Sequence, residues 1–265
     1  MIMQLHFYKY QGTGNDFVIL DNRKNEYTSL TQEQIHFLCD RRFGIGADGL
    51  MLLNAHPDYD FEMKYYNADG KEGTMCGNGG RCLVKFANDI GILKSEYSFI
   101  ATDGEHEATV ELDGTVSLKM NDVNEVHYKG DHYVLNTGSP HYVQNKSNVM
   151  ELDVYAEGHK IRYSPAFEKE GINVNFVEQL EDTDKILVRT YERGVEDETY
   201  SCGTGVTAAA LISYHNENGF NHVDVQTKGG KLSVEYDKIG DSYKNIWLTG
   251  PAEKVFEGTI TLNDV

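Results

Sequence analysis

The sequence predicts a two-domain α/β (α+β) protein whose two halves share one pseudo-symmetric fold. The first observation is an internal repeat, in which a strand, a glycine-rich turn and a helix recur with Cys76 and Cys202 at the same place, 126 residues apart. The second is size, because 265 residues with 40% hydrophobic content suffice for two cores at roughly 150 residues per domain. A repeat of this length is not a solenoid, whose period is about 20 to 50 residues.

The first half contains a series of strand patterns and two helix patterns. Alternating apolar residues bounded by glycine turns predict strands at residues 5–10, 17–21, 50–53, 61–67, 99–102, 105–112 and 115–120. Thr31 followed by Gln34 forms a capping box, which predicts a helix over residues 31–41. The second helix begins at Cys76. The polar, aperiodic stretch 121–131 predicts a domain junction near Leu118.

The second half repeats this order. Its predicted strands are residues 132–136, 171–177, 184–191, 222–227, 232–236 and 246–249. The helix that begins at Cys202 is predicted to end near Gly219. Residues 252–262 form a lone strand pattern, which we expect to pair with the first half. The predicted domains are therefore residues 1–118 with the tail 251–265, and residues 119–250.

Composition limits the class of partner. Asp and Glu number 42 against 24 Lys and Arg, and the net charge of −18 argues against nucleic acid or an anionic membrane surface. No apolar run approaches the ~20 residues of a membrane span, and residues 1–10 lack the apolar core of a signal peptide. We therefore expect a cytoplasmic protein.

The four cysteines do not suggest a disulfide framework or a zinc site. They are too few for the former, and the five residues between Cys76 and Cys82 exceed the spacing of common zinc pairs. Cys39 and Cys82 fall inside predicted helices, where we expect buried, unreactive thiols. The turn Gly12-Thr13-Gly14 lacks the third glycine of a dinucleotide fingerprint. No metal or cofactor is expected.

A cysteine at a helix start meets unpaired amides and the positive end of the helix dipole, which stabilise a thiolate. Two such cysteines leave three hypotheses open: a redox dithiol, a binding site with incidental thiols, or an acid/base pair acting on one carbon. The Cys-x-x-Cys spacing of redox dithiols is absent. An acid/base pair could invert a carbon centre, with helix-start amides at Gly77, Asn78, Gly203 and Thr204 holding a carboxylate. This pattern favours an amino-acid racemase or epimerase that works without pyridoxal phosphate.

The same residues resemble the diaminopimelate epimerase family over nearly the whole chain. The motifs that carry the resemblance are Gly12-Thr13-Gly14-Asn15-Asp16-Phe17, Gly44-Ile45-Gly46-Ala47-Asp48, Asn67-Ala68-Asp69-Gly70, Cys76-Gly77-Asn78-Gly79, Gly171-Ile172-Asn173, Tyr191-Glu192-Arg193-Gly194 and Cys202-Gly203-Thr204-Gly205. The resemblance implies that each half is a curved mixed sheet, or barrel, around its cysteine-bearing helix. It also implies interconversion of LL- and meso-diaminopimelate, without cofactor or metal, in lysine and peptidoglycan biosynthesis, by a homodimer.

The resemblance implies a role for each matching residue. Cys76 and Cys202 correspond to the two acid/base thiols, and His141 and Glu192 to residues that support them. The substrate-binding positions are Asn15, Asn67, Gly77, Asn78, Asn173, Glu192, Arg193, Gly203 and Thr204.

Two positions depart from the family pattern. Many members carry glutamine in place of Gly49 and asparagine in place of Ser139, so the substrate contacts expected at these two positions differ. The runner-up is a racemase of the proline racemase type, which shares the two cysteines but has no distal amino acid for Asn67, Asn173 and Arg193 to hold. A phenazine-type isomerase shares the fold and lacks the thiol pair.

Overall fold

The chain folds into two α+β units in the computed structural model. The structure describes residues 3–73, 75–180, 185–213 and 217–262, with the backbone alone at Ser213. The units are Met1–Leu118 with Pro251–Val265, and Lys119–Gly250. We refer to them as unit 1 and unit 2.

The described residues of unit 1 form an eight-stranded mixed sheet and two helices. Its strands are β1 (Met3–Gly12), β2 (Asn15–Asp21), β3 (Gly49–Asn54), β4 (Phe61–Asn67), β5 (Glu96–Ala101), β6 (Gly104–Val110), β7 (Val116–Lys119) and β17 (Glu253–Leu262), and its helices are α1 (Gln32–Cys39) and α2 (Gly77–Asp89). The strand order is β17-β1-β2-β3-β4-β5-β6-β7. The pairs β2–β3 and β4–β5 are parallel and the others antiparallel.

Unit 2 has the same architecture. Its strands are β8 (Val126–Tyr128), β9 (Tyr133–Asn136), β10 (Pro140–Asn145), β11 (Asn173–Gln179), β12 (Lys185–Glu192), β13 (Asp197–Thr199), β14 (Gly219–Thr227), β15 (Gly230–Ile239) and β16 (Ser242–Gly250), and its helices are α3 (Val154–Arg162), α4 (Gly203–Ser213) and a 3₁₀ turn (Val149–Glu151). The order β8-β9-β10-β11-β12-β14-β15-β16 repeats that of unit 1. The parallel pairs, β10–β11 and β12–β14, are also the equivalent ones.

In each unit the cysteine-bearing helix lies against strands from across the sheet. Helix α2 contacts β1, β2, β3, β6 and β17, and α4 contacts β9 to β12 and β14 to β16. A sheet that touches one helix along most of its strand order must curve around it. Phe86 on α2 and Val206 on α4 are fully buried, and each such apolar side chain contributes about 1.5–3 kcal/mol to stability.

The predicted capping box and the predicted pairing of the tail are both confirmed. The Thr31 hydroxyl accepts from the Gln34 amide at 3.3 Å, and the Thr31 amide donates to the Gln34 side chain at 3.0 Å. Strand β17 pairs with β1, from Met3 opposite Leu262 onward. None of the helices in the described ranges is long and apolar enough to cross a membrane.

Several predicted boundaries were wrong. Helix α4 is described to Ser213, whereas Gly219, the predicted helix end, is the first residue of β14 and pairs with Lys238. Residues 214–216, and the first residue of the strand predicted at 184–191, lie outside the described residues. Helix α1 ends at Cys39, two residues before the predicted end, because Asp40 adopts an extended conformation. The prediction also missed β8 and β13, which are three residues long, and β10.

Candidate active site

In unit 1 the candidate half-site is the start of α2. Cys76 is the N-cap residue, with extended backbone angles of φ −101° and ψ 129°, and it is half-buried. The Gly80 amide donates to the Cys76 carbonyl at 2.7 Å. The amides of the preceding turn therefore have no partner within the helix. Those amides and the helix dipole favour negative charge at this point.

Asn15, at the start of β2, lies beside Cys76. Its Oδ1 is 3.5 Å from the Cys76 Sγ and accepts from Asn78 Nδ2 at 3.3 Å. Its Nδ2 donates to Asp48 Oδ2 at 2.7 Å. Because a carboxylate can only accept from this amide, the Asp48 contact orients Asn15 with its oxygen toward Cys76. Three residues expected at the site, Asn15, Cys76 and Asn78, are therefore close together.

A network of charges supports this arrangement. Arg41 donates to both oxygens of Asp16, at 2.9 and 2.7 Å, and to Asp48 at 2.7 Å. Lys9 is buried and pairs with Asp16 at 2.6 Å. Burial alone would raise the pKa of Asp16, but the hydrogen bonds from Arg41 and Lys9 outweigh it and hold the pKa below its usual range. Arg41 thereby ties Asp48 to Asp16.

In unit 2 the candidate half-site is the start of α4. Cys202 precedes Gly203 and is 7% exposed, and its Sγ is 3.5 Å from the Thr204 hydroxyl. The Thr137 hydroxyl, in the turn equivalent to that of Thr13, donates to the Thr204 carbonyl at 2.8 Å. Thr207 donates to the Gly203 carbonyl at 3.0 Å. Each of these three contacts at the helix start involves an uncharged hydroxyl group.

His141 and Asn175 form a buried pair under this helix. Asn175 Oδ1 accepts from the Thr190 hydroxyl at 2.9 Å, and its Nδ2 donates to His141 Nδ1 at 3.0 Å. Nδ1 is thus an acceptor, and the neutral ring carries its proton on Nε2. Burial, aided by the charge of Arg193, lowers the pKa of His141 to about 3. The imidazole is neutral at physiological pH, and among the described residues its Nε2 has no hydrogen-bond partner.

A second cluster in unit 2 joins the residues expected to bind substrate. Asn173 Nδ2 donates to Ser139 Oγ at 3.0 Å, and its Oδ1 accepts from the Arg193 amide at 2.9 Å. The Arg193 guanidinium, which is exposed, donates to the Glu170 carbonyl at 3.1 Å and lies 3.4 Å from Ser139 Oγ. Ser139 therefore has a structural role in holding both side chains. Glu192 accepts from the Thr199 hydroxyl at 3.0 Å.

Asn67 and Gly49 lie at the paired ends of β4 and β3. Asn67 is exposed, and among the described residues its side chain makes no hydrogen bond to the Cys76 cluster. A Cβ on Gly49 would lie 2.6 Å from the ring of Tyr65. Tyr65 therefore fills the space that a side chain at position 49 would enter, which accounts for the glycine there.

The other two cysteines lie in the hydrophobic interior. Cys39 is 3% exposed and Cys82 is fully buried, and burial raises the pKa of each thiol to about 12. Both therefore remain protonated at physiological pH. Within the described ranges, no group of three or more His, Cys, Asp or Glu side chains is placed to hold a metal ion.

Comparison with known proteins identifies the family. The family model for diaminopimelate epimerase matches residues 7–126 and 133–255. The chain belongs to the diaminopimelate epimerase family. The diaminopimelate epimerase of Flavobacterium psychrophilum is 50% identical over 257 residues, which cover 97% of this chain and 100% of the relative. That of Chlorobaculum tepidum is 45% identical over 261 residues, covering 95% and 99%.

Solved structures show that the fold is shared beyond the diaminopimelate epimerase family. A phenazine biosynthesis protein of the PhzF family from Bacillus anthracis has a TM-score of 0.74 at 15% identity, covering 97% of this chain and 99% of that chain. A hydroxyproline epimerase from Agrobacterium vitis has a TM-score of 0.70 at 14% identity, covering 99% and 93%. These likenesses confirm the predicted fold class.

Several residues that shape the half-sites were not predicted. The most important is Arg81 on α2, which is fully buried and donates to Asn78 Oδ1 at 3.0 Å. The sequence could have predicted that Arg81 is buried, because it lies three residues before Val84 and therefore on the apolar face of the helix. Asn175 gave a weaker signal, as one of two asparagines in the apolar run of β11. Asp48 belongs to the Gly44-Ile45-Gly46-Ala47-Asp48 motif but was assigned no role, and no pattern marked Arg41.

Proposed function

We propose that this protein interconverts LL- and meso-2,6-diaminopimelate by a two-base mechanism without a cofactor. Membership of the family makes it an isomerase of the epimerase class. The observation that carries the proposal is that the family match spans both halves of the repeat. Each half also presents a cysteine at the start of a helix in the same topological position.

The two thiols have complementary tasks in this mechanism. One thiolate accepts the α-hydrogen as a proton, and the thiol of the other cysteine donates its proton to the opposite face of the carbon. Cys76 and Cys202 are assigned these tasks because the remaining thiols, Cys39 and Cys82, are buried and have pKa values raised to about 12. A group with such a pKa is a poor acid or base partner near neutral pH.

The helix starts are assigned to the substrate carboxylate at the reacting carbon. Amides of Gly77 and Asn78 in unit 1, and of Gly203 and Thr204 in unit 2, belong to first turns whose N–H groups have no partner within the helix. The carboxylate gains negative charge as the α-proton leaves, so amide donors stabilise the transition state more than the ground state. This arrangement requires no ion from the solvent.

The distal amino acid of the substrate is assigned to the remaining polar residues. Arg193 is a donor for a carboxylate, and Glu192 is a partner for an ammonium group. Asn173 is held in place by Ser139 and by the Arg193 amide, which supports a role in orienting the ligand. Asn15 and Asn67 complete the proposed set. His141 and Glu192 are assigned to support of the thiols.

The proposal is tested by solvent exchange. Purified protein is incubated with LL-diaminopimelate in deuterated water without added cofactor, and both deuterium at the α-carbon and the meso isomer are followed. We expect both to appear together, and their absence would contradict the proposal. A C76A/C202A double variant serves as the control for uncatalysed exchange.

The alternative substrate class is a cyclic imino acid, because a hydroxyproline epimerase shares the fold. L-proline and trans-4-hydroxy-L-proline are therefore tested in parallel. Exchange into these compounds but not into diaminopimelate would favour the proline racemase type. We expect the opposite, since those ligands have no second amino acid for Arg193 and Glu192.

We also propose that the protein is a homodimer in the cytoplasm, in the route to lysine. Strand β17 pairs with β1 and carries the exposed apolar side chains Val255 and Phe256, which supports contact with a second copy. Light scattering should give twice the 29.9 kDa of one chain. Cell fractionation tests the compartment.

A further inference from the structure

The hairpin turn at residues 193–196 joins β12 to β13 and presents Arg193, which the proposed function assigns to the distal amino acid of the substrate. Glu192 and Asp197 form the last strand pair before the turn. The amide of Glu196 donates to the Glu192 carbonyl at 2.8 Å and closes the turn. The conformation of this turn therefore decides where the Arg193 side chain begins.

Glu196 adopts a backbone conformation that is unfavourable for its residue type. Its φ of 57° lies in the left-handed region, which a residue with a Cβ occupies only at a cost in free energy. Gly194 in the same turn also has a positive φ, of 93°, but glycine tolerates it. A backbone angle like that of Glu196 persists only where the surrounding contacts hold it. The contacts of the Glu196 side chain therefore matter for the shape of the turn.

The carboxylate of Glu196 makes contacts through both of its oxygens. Oε1 accepts from the Gly194 amide at 3.1 Å and pairs with Arg162 Nη2 at 3.2 Å. Oε2 accepts from the Tyr191 hydroxyl at 3.3 Å. Burial alone would raise the pKa of Glu196, but the Gly194 amide and the charge of Arg162 outweigh it and lower the pKa. Glu196 is therefore ionised at physiological pH.

Arg162, the last residue of helix α3, is the cation of this pair. Its side chain is 12% exposed and that of Glu196 is 30% exposed, so water screens this pair less than it screens a fully exposed one. Its Nη1 lies 3.4 Å from the carbonyls of Phe167 and Glu168. Among the described residues, its Nε has no hydrogen-bond partner. Glu196 thus supplies the negative charge beside a largely buried guanidinium.

Arg162 also lies against the connection between α3 and β11, which leads to Asn173. A Cβ on Gly171 would lie 2.9 Å from Arg162 Cζ and 2.6 Å from Arg193 Cδ. The two arginine side chains therefore pass the same point of the backbone. The Glu170 carbonyl, one residue earlier, accepts from the Arg193 guanidinium at 3.1 Å. Arg162 thus borders the part of the connection that Arg193 contacts.

The ion pair joins two segments that meet at the proposed distal subsite. Glu196 belongs to the turn, and the Arg193 amide of that turn donates to Asn173 Oδ1 at 2.9 Å. Arg162 contacts the connection that ends at Asn173. Glu196 also neutralises Arg162 beside Arg193, and without it two neighbouring cations would repel each other. The relative position of Asn173 and Arg193 therefore depends on the pair.

The equivalent turn of unit 1, which follows β4, is one residue shorter. Two equivalent strand pairs show the difference in length: Tyr66 with Glu72, and Tyr191 with Glu198. Helix α1 contacts the shorter turn through His36 and Gln32, whose side chains lie 2.7 and 3.1 Å from backbone carbonyls of the turn. Helix α3 contacts the longer turn through the Arg162–Glu196 ion pair.

We propose that Glu196, paired with Arg162, is a positioning residue that holds Glu192 and Arg193 in place for the distal amino acid of the substrate. The assignment of this end of the substrate to the turn rests on the proposed function. Inversion at one carbon leaves the distal centre unchanged, so contacts to it stabilise the ground state and the transition state equally. Loss of the ion pair should therefore raise KM and leave kcat nearly unchanged.

The first test measures amide hydrogen exchange in the turn, without substrate, by peptide mass spectrometry. Glu196→Gln keeps the size of the side chain and removes its charge. We expect peptides that span residues 191–199 to exchange about tenfold faster in this variant, because the turn loses a charge-assisted contact. Val195→Ala changes an exposed residue of the same turn and should leave exchange unchanged. Unchanged exchange in Glu196→Gln, or equal acceleration throughout unit 2, would overturn the proposal.

The second test measures kcat and KM for diaminopimelate. For Glu196→Gln we expect KM to rise about tenfold, with kcat within about threefold of the wild type. A general loss of stability would instead lower the fraction of active enzyme, and with it kcat, at unchanged KM. That result would contradict the proposal. Val195→Ala should keep the wild-type value of both constants.

The double variant Arg162→Gln/Glu196→Gln tests the pair itself. If the two residues act through their ion pair, KM in the double variant should equal that in either single variant. Effects that multiply would mean that the residues act separately, against the proposal. Arg162→Lys keeps the charge and should restore most of the wild-type KM. The double variant leaves neither charge unpaired, so it decides the matter if a single variant does not fold.

Hydrogen exchange separates this proposal from the proposed function. A wild-type protein that does not act on diaminopimelate would contradict the proposed function, while the exchange data would still show whether Glu196 holds the turn. Wild-type epimerisation together with an unchanged KM in Glu196→Gln would contradict the Glu196 proposal alone.

Discussion

The two helix starts differ in where each unit keeps its buried polar groups. In unit 1 the strands under the helix carry Phe17 and Met51, and the helix carries Arg81. In unit 2 the equivalent strand positions carry His141 and Asn175, and the helix carries Thr207. The topology of the two units is the same. The largest buried polar side chain lies on the helix in unit 1, whereas the larger buried polar side chains lie on the sheet in unit 2.

This difference separates the features that the two units share from those that differ between them. The curved sheet around a helix needs glycines at the helix start, and both units have them, at Gly79 and Gly205. The buried polar residues beneath that start differ: Arg81 in unit 1, and His141 with Asn175 in unit 2. A two-base mechanism needs one anionic thiol and one thiol that holds a proton, so the surroundings of the two helix starts need not be identical.

The largest expected effect is loss of inversion when either thiol is removed. Cys76→Ala and Cys202→Ala should each lower the rate of epimerisation by about 10²–10⁴-fold, the usual contribution of a positioned acid or base. Circular dichroism should show that both variants fold.

Cys39→Ala is the matched control, since it removes a buried thiol at the end of helix α1, and it should keep wild-type turnover. If one cysteine proves dispensable, the two units are not functional counterparts and the comparison fails.

Local patterns predicted much of the fold. The predicted strand at residues 61–67 coincides with β4 (Phe61–Asn67), and the Thr31 capping box marks the start of α1, because strand alternation and helix capping depend on near neighbours. The repeat also predicted that both halves carry the same supersecondary order. Strands β8 and β13 were missed because three residues are too few to show a period, although each pairs with a strand adjacent in the chain, β9 and β12 respectively.

The polar interior of each half-site was not predictable in the same way. Cys76 and Cys202 were visible as motif residues, but Asn175 gave only a weak local signal, because its partners His141 and Thr190 lie on neighbouring strands. The choice between Arg81 and Thr207 likewise depends on tertiary packing. A buried polar group is stable only when it has hydrogen-bond partners. These partners are often distant in the sequence, so the residues next to a buried polar group do not reveal its role.

The buried pair in unit 2 should make stability depend on pH. The pKa of His141 is lowered to about 3 in the folded protein, against about 6.5 when unfolded. Between these values the unfolded state binds more protons, so the free energy of unfolding falls as the pH drops below 6.5. Urea unfolding should show a loss of about 2 kcal/mol from this group between pH 6.5 and 5.

The comparison between the units is tested further by replacing His141 and Asn175 of unit 2 with Phe and Met, the residues at the equivalent positions of unit 1. The double variant His141→Phe with Asn175→Met should lose this part of the pH dependence. Two other groups with shifted pKa values contribute equally to the variant and to the wild type. The pKa of His222 is raised, so His222 stabilises the folded protein more as the pH falls. The pKa of Asp16 is lowered, so Asp16 affects the free energy of unfolding only below its unfolded pKa of about 3.9. Identical slopes in the variant and the wild type would contradict a buried neutral His141.

The glycines at the two helix starts should differ in tolerance. A Cβ at Gly205 would lie 2.3 Å from Asn175 Oδ1, whereas at Gly79 it would lie 3.2 Å from Met51 Sδ. Asn175 is held by its hydrogen bonds, but the Met51 side chain is flexible and can move.

Gly205→Ala should therefore lower the free energy of unfolding by about 2 kcal/mol, within the usual cost of overpacking. Gly79→Ala should lower it by less than about 1 kcal/mol, since alanine favours the helix. Chemical denaturation of both variants measures the difference. Equal losses would mean that the polar pair does not stiffen unit 2.

The smallest expected effect is at Thr207, which is buried like Arg81 but carries no charge. Its hydroxyl bonds to the Gly203 carbonyl four residues earlier, a contact that adds little to a helix. Thr207→Val keeps the shape and should change the free energy of unfolding by less than about 0.5 kcal/mol, with epimerisation within twofold of wild type. A loss above about 1.5 kcal/mol would mean that this hydroxyl organises the start of α4. The buried polar group that replaces Arg81 in unit 2 would then be Thr207 on the helix, and not the His141 and Asn175 pair on the sheet.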